Sequence, residues 1–464
     1  MKKLAVIFFV FLTINCFSQN KQLLYNFTTI PQTLMTNPGA DFKYNWYLGV
    51  PLLSGISANV GSSGFSAYDL FADDGIDFST KLQNVVSSIS RNDKIAINQQ
   101  IEIFNGGFKT NGEYNPVYVS FGMYQELDLL LYLPKDYLSL ALYGNRDYLG
   151  KVYNLGDLNL RGELLSVFHF GLNKKVNEKL IVGARGKIYS SIFNVSSTKN
   201  SGYLYTVPAE NQFYKQIISS NVNINIAGFT NYTKDYTGNA GSDILCKTLL
   251  VGNLGLGFDL GLTYYPKENI QITASISDIG FITHSKQVEN YSYNGVFVQD
   301  GLQPDFINPS LTTLNFSDKF KEDIPYIIHR KKYTSWRPVK LNSSYQYSFG
   351  ERDDSDCNCT GNEMGYNNSI GAQFFAMSTP RIPLMALTAF YRKRVLDALE
   401  IKATYTLDSF SSSNIGFGLS TQLSKINFYF LAGNLLEYRD ISKANSLSFQ
   451  FGLNLIFADK EAAY

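Results

Sequence analysis

The sequence is short of the residues from which soluble catalytic domains are built. Its 464 residues include only 3 His, 4 Cys and 2 Trp, and 17% are charged, against roughly 25% in soluble domains. Beyond the N-terminal leader no stretch holds the ~18 consecutive apolar residues that a membrane-crossing helix requires. An anchor of the helical kind is therefore excluded. The net charge of +1 gives no reason to expect nucleic acid or an acidic partner.

Cysteine is just as uninformative as a scaffold. Past the leader only Cys246, Cys357 and Cys359 remain, an odd set whose close pair cannot easily bridge itself. Asp353, Asp354 and Asp356 lie beside that pair, yet no His or third Cys is near. A polar turn with two incidental thiols is the better reading than a metal site.

Nor is there a catalytic constellation. His169, His284 and His329 show no metal-type spacing, and no Ser–His pair with a third polar group can be nominated. Gly61–Phe65 (G-S-S-G-F) lacks the strand-to-helix context of a nucleophile elbow. The glycines of Asn253–Phe258 (N-L-G-L-G-F) sit inside an alternating stretch with no helix behind it, which suits close backbone packing better than a dinucleotide. Neither a cofactor nor an enzymatic activity is expected.

What the chain has in quantity is Tyr (32), Phe (34) and Gly (36). Interface girdles and tight strand crossings of a transmembrane β-barrel use these residues. The clearest strand is the last. In Ser446–Phe457 the residues Leu447, Phe449, Phe451, Leu453, Leu455 and Phe457 share one face, and Ser446, Ser448, Gln450, Gly452 and Asn454 share the other. Its length suits the ~9–11 residues that cross the hydrocarbon. Gln450, Gly452, Leu455 and Phe457 also match the spacing of the C-terminal insertion signal of outer-membrane barrels.

Met1–Ser18 carries Lys2 and Lys3, an apolar run Leu4–Leu12 and then small and polar residues, the layout of a secretory signal peptide cut before Gln19. Residues 19–43 hold I-P-Q-T-L-M-T-N-P-G-A (Ile30–Ala40), too rich in turn formers for a strand, and read as a lead-in that sits in the mouth or plugs the lumen. Residues 44–457 form the barrel and 458–464 a periplasmic tail.

Within the barrel, Trp46–Val50 and Ile56–Gly61 read as a hairpin. Phe78, Leu82, Val85, Val86 and Ile89 recur at threes and fours, giving a short helix in the Ala67–Lys94 region, placed on the periplasmic side. Strands are predicted at Asn98–Lys109, Pro116–Gln125, Tyr137–Tyr143, Leu164–Asn173, Leu180–Tyr189, Leu254–Tyr264 and Ile270–Ile276. Seven more run from Val339 to Phe457. Ser190–Asn253, with one local hairpin at Ile217–Phe229, and Ser277–Pro338 read as long extracellular loops. Counting back from the C-terminus puts the short turns at Ser424–Lys425, Arg392–Asp397, Pro266–Glu268 and Lys174–Lys179 in the periplasm. The fold class is thus all-β: an antiparallel transmembrane barrel of about 14 strands, within 14–16, because the strand number must be even.

Alternation also turns Arg185, Lys187, Asp259, Lys340, Glu400 and Lys402 away from lipid, where a Lys or Arg would cost about 2–4 kcal/mol near the midplane. Both signs are present. Pairing with one another and with a plug is favoured over selecting solutes by charge.

Pro31–Ala40, Val50–Gly64, Tyr68–Phe71 (Y-D-L-F) and Ser275–Ile282 (S-I-S-D-I-G-F-I) resemble a family of Bacteroidota outer-membrane barrels of unassigned function. Asn37–Ala40 (N-P-G-A) is also similar to the N-P-A element of PorP/SprF-like type IX secretion proteins, with Gly39 intruding. The resemblance implies a non-enzymatic barrel in the outer membrane, related in shape to long-chain fatty-acid transporters. It further implies an accessory or scaffold subunit of a secretion or assembly machine, docking envelope proteins or surface lipoproteins through its long loops. The alternative is a transporter or channel for small or hydrophobic solutes gated by the lead-in.

Overall fold

The computed structural model describes residues 21–110, 116–144, 148–209, 212–230, 240–299, 322, 326–351, 366–408, 410, 411 and 413–457. Period-two alternation is realised around the whole wall. Phe449 is exposed and Gln450, Gly452 and Asn454 are buried along the last strand. Leu254, Leu256, Phe258, Leu260, Leu262 and Tyr264 likewise all face outward.

Fourteen strands close the wall. They are β1 (Trp46–Gly49 with Ile56–Ser62), β2 (Lys94–Lys109), β3 (Val117–Tyr132), β4 (Asn159–Asn177), β5 (Leu180–Ser197), β6 (Asn253–Lys267) and β7 (Ile270–His284). There follow β8 (Tyr333–Trp336 with Lys340–Glu351), β9 (Tyr366–Met377), β10 (Leu384–Leu396), β11 (Leu399–Leu407), β12 (Asn414–Leu423), β13 (Ile426–Gly433) and β14 (Ser446–Phe457). Each is antiparallel to the next, and β14 returns to pair with β1. At that seam Trp46 is the register partner of Phe457, and the rings stack with centroids 3.4 Å apart.

Two expected strands are corrected, which accounts for the difference between sixteen and fourteen. The predicted first hairpin is one interrupted strand, because both halves run antiparallel to β2 and to β14. Between them Val50–Gly55 bulges, with Leu52 at φ 63 and Ser54 turned fully inward. Gly452 opposite makes room, since a Cβ there would lie 2.0 Å from the Ser54 carbonyl oxygen. Tyr137–Tyr143 is helical (Lys135–Tyr143), entered from Pro134 with Asp136 in its first turn. Leu138, Leu140 and Leu142 mimic strand alternation, but the contacts made are those of a helix: Tyr137 and Leu140 pack on one apolar cluster and Leu138 on another.

Among the described residues, the spans read as long external loops are largely sheet. β5 continues to Ser197, β7 to His284, and five further strands form a crown: Val152–Asn154, Ser201–Ala209, Gln212–Ala227, Val288–Gln299 and Tyr326–His329. Asn194–Ser196 pairs with Asn225–Ala227 and fastens the crown to the wall. Its ladder is polar: Asn290 Nδ2 donates to Asn225 Oδ1 at 2.8 Å and Ser292 Oγ to Asn223 Oδ1 at 2.7 Å. Its other face packs Tyr153, Leu204, Ile218 and Phe297 into an apolar cluster, contacts between distant parts of the chain.

The helix Phe78–Ser88 exists as predicted, capped by Asp77, but stands at the other end of the barrel. It links β1 to β2 at the end away from Trp46 and Phe457, on the same rim as the crown. The placement on the periplasmic side is therefore corrected. Counting back from the C-terminus takes Tyr137–Tyr143 as a crossing, and because that segment is a helix the β1–β2 connection falls at the opposite rim.

Candidate functional site

The lumen is filled by the chain's own N-terminal segment. From Leu24 to Ala40 the side chains of Leu24, Tyr25, Phe27, Ile30, Gln32 and Asn37 are buried, although the segment joins no strand. An irregular backbone at membrane depth must have its polar groups satisfied by protein, and here wall side chains do it. Lys402 Nζ donates to the carbonyls of Leu23 (3.1 Å) and Tyr25 (2.7 Å), Arg392 to that of Asn26 (3.2 Å), and Arg185 to that of Leu34. Gln32 and Asn454 exchange amide hydrogen bonds at 2.9 and 3.1 Å.

Asn37–Ala40 has the closest seat. Asn173 Nδ2 donates to the carbonyls of Pro38 and Ala40, both at 2.8 Å, and Thr263 Oγ1 to that of Gly39 at 2.7 Å. Asn37 folds back to accept from the Gly39 N–H at 2.9 Å. The wall residues beneath are glycines, Gly183 and Gly261. Gly39 itself is required, since its Cβ would stand 2.4 Å from the Gly261 carbonyl oxygen.

Outward of this seat runs a chain of ion pairs. Arg185 pairs with Asp259 (3.6 Å), Asp259 with Lys187 (2.9 Å), Lys187 with Asp278 (2.7 Å) and Asp278 with Lys340 (2.9 Å). Lys340 reaches Glu126 (3.5 Å), and Arg337 joins Glu126 (2.9 Å) to Glu163 (2.7 Å). Four acids and four bases alternate, so the run is neutral as a whole. Buried charges are tolerated when paired and hydrogen-bonded in this way.

Of the charged residues singled out from sequence, Arg185, Lys187, Asp259 and Lys340 thus lie in one network. Glu400 is apart from them, held by Arg392 (3.2 Å) and Arg394 (3.7 Å), and Lys402 grips the plug. Sequence reading missed Glu126, Glu163, Asp278 and Arg337. Glu126 and Asp128 alternate with Leu127, Leu129 and Leu131, which was signal enough to extend the strand past Gln125. Of the C-terminal set, Gln450 donates to the Tyr429 hydroxyl at 3.3 Å, Gly452 receives the β1 bulge, and Leu455 and Phe457 lie on the lipid side. His169 packs on Tyr124, and His284 Nε2 lies 2.8 Å from Ser335 Oγ. Cys357 and Cys359 lie outside the described residues; Cys246 is a free, exposed thiol.

The plug tip borders two cavities. One lies between Lys21–Leu23 and the outer halves of β1 and β11–β14. The other lies against the ion-pair chain. Lys21 borders both, and its amine is pushed down to about 8, first by burial and then by the Lys340 charge.

Apolar residues toward lipid and paired charges around an internal plug define the class: an outer-membrane β-barrel corked by its own N-terminal segment. Within that class the chain belongs to the Family of unknown function (DUF5723), whose model matches residues 38–433. A comparison with curated proteins found no match. Among solved structures the chain is similar to the Ralstonia pickettii toluene transporter TbuX (12% identity, TM-score 0.40, covering 92% of this chain and 94% of that one). It is similar to a Pseudomonas aeruginosa FadL homologue (10%, 0.40, 92% and 94%) and to the Pseudomonas putida toluene transporter TodX (9%, 0.36, 92% and 92%).

The expectation of a scaffold subunit for a secretion or assembly machine is corrected here. It leaned on two long docking loops, and the described residues of those spans are mostly crown sheet and wall.

Proposed function

We propose that the protein is a gated passage for small solutes across the outer membrane, with residues 21–40 as the gate. One observation carries this reading: the plug is held by side-chain hydrogen bonds from the wall and not by strand pairing. Each such bond is worth about 0.5–1.5 kcal/mol net, or about 1.5–3 where a charged group donates, and water can replace it. A strand of the wall would have to break its whole ladder. The cavities at the plug tip supply space on the outward side.

Solute flux into liposomes tests the reading. In a background with Cys246, Cys357 and Cys359 changed to Ser, the pair Gln32→Cys and Asn454→Cys would tie the plug to β14. Flux should be low when this pair is oxidised, should return on reduction, and should be highest when residues 21–37 are deleted. Equal flux in all three states, with the barrel folded, would refute a gate. Toluene, the cargo in the description of the similar barrels, serves as the comparison solute.

A further inference from the structure

We infer that the cavity between the plug tip and the outer halves of β1 and β11–β14 is a binding site for a small neutral polyhydroxylated solute, such as a monosaccharide or sugar alcohol. The inference rests on the passage reading and names the solute class that passage would take.

Ser57, Asn59, Thr404, Ser448 and Gln450 point in from three strands, with Leu23 and Leu431 as an apolar patch. Serine and threonine hydroxyls and carboxamides both donate and accept hydrogen bonds. A sugar hydroxyl does the same. The aliphatic patch suits the C–H face of such a molecule.

The two charged groups at the border are already engaged. Asp408 accepts from the Phe410 and Ser411 N–H groups, each at 2.9 Å, and from Asn414 Nδ2 at 2.8 Å. Lys21 donates to Gln100 on β2, toward the neighbouring cavity. An ionic solute would have to displace these neutral partners to reach either charge. An apolar solute would strip water from amides and hydroxyls and return nothing.

A second observation points to a ligand independently. Asn59 is 8% exposed, faces the cavity, and its Oδ1 is buried without a hydrogen-bond partner among the described residues. Buried amide oxygens are nearly always paired. A hydroxyl donor entering the cavity would complete it. Gln450, two strand positions from Ser448 on the same face, is register partner to Ser57, so the hydroxyls and the amide converge on one level of the lumen.

Calorimetric titration of the full-length mature protein in detergent with glucose and with mannitol tests this. Binding with Kd on the order of millimolar is expected. Glycine betaine, inorganic phosphate and toluene should give none. Asn59→Leu should weaken glucose binding about tenfold or more, and Thr404→Val, which removes a different lining group, should weaken it also. Heat-modified gel mobility confirms that each variant is folded. No heat with glucose or mannitol, or wild-type affinity in both folded variants, overturns the site. Liposome flux is scored separately: binding without flux defeats the passage and keeps the site, and flux without binding defeats the site and keeps the passage.

Discussion

Gly183 and Gly261 are register partners on β5 and β6, and a Cβ on either would strike the plug: 2.1 Å from the Pro38 carbonyl oxygen in one case and 2.0 Å from Asn37 Oδ1 in the other. The wall is bare at one place so that Asn37–Gly39 can lie on it. Gly183→Ala or Gly261→Val should therefore lift this end of the plug while the barrel still folds. Faster hydrogen exchange at Asn37–Ala40 and raised flux are the expected readouts.

Removing Arg337 should be costly. It joins Glu126 and Glu163, and Arg337→Leu would leave two carboxylates short of a partner, a loss of about 3–5 kcal/mol. Urea unfolding in detergent micelles should show it. Arg337→Lys should restore only part, because one ammonium cannot present the two-pronged donor that spans both acids.

Lys402→Met tests the upper limb of the plug. Its amine serves the Leu23 and Tyr25 carbonyls, and losing that charged donor should loosen Lys21–Asn26 by about 1–3 kcal/mol. Protease access to Lys21 in the folded protein should rise, with little change in the melting of the wall.

Plug docking should also depend on pH through Lys21. Burial, then the Lys340 charge, lowers its pKa from 10.5 to about 8 in the docked state, with Glu126, Glu102 and Asp278 opposing. A base with a depressed pKa penalises docking while it is protonated. The penalty is full below about 8 and fades as pH rises toward 10.5. Flux should accordingly fall between pH 8 and pH 10 in the wild type, and Lys21→Met should flatten that slope.

Much of this architecture was legible because lipid imposes a strict period of two. Leu254–Tyr264 and Ser446–Phe457 could be read directly from that rule. Reading failed where the rule lapses. The crown strands Gln212–Ala227 and Val288–Gln299 carry runs of Asn and Ser on one face, and the apolar residues opposite, Ile218 and Phe297 among them, find their partners in distant parts of the chain. The bulge at Val50–Gly55 imitated a turn because Pro51 and Gly55 flank outward-facing Leu52 and Leu53. Site residues fared similarly. Arg185 and Lys402 stood out against apolar neighbours, but Arg337 stands next to Pro338 in what looked like a loop, and Asp278 occupies a positive-φ position that interrupts its strand.

The Trp46–Phe457 seam also sets an order of events. A ring whose first and last strands are neighbours stays open until its final dozen residues arrive. The cork's partners run from Gln100 to Asn454 along the chain, so no short fragment of the wall offers it a whole seat. The seat is complete only once the last strand is in place, so the cork's full set of bonds and the closed ring depend on the same dozen residues.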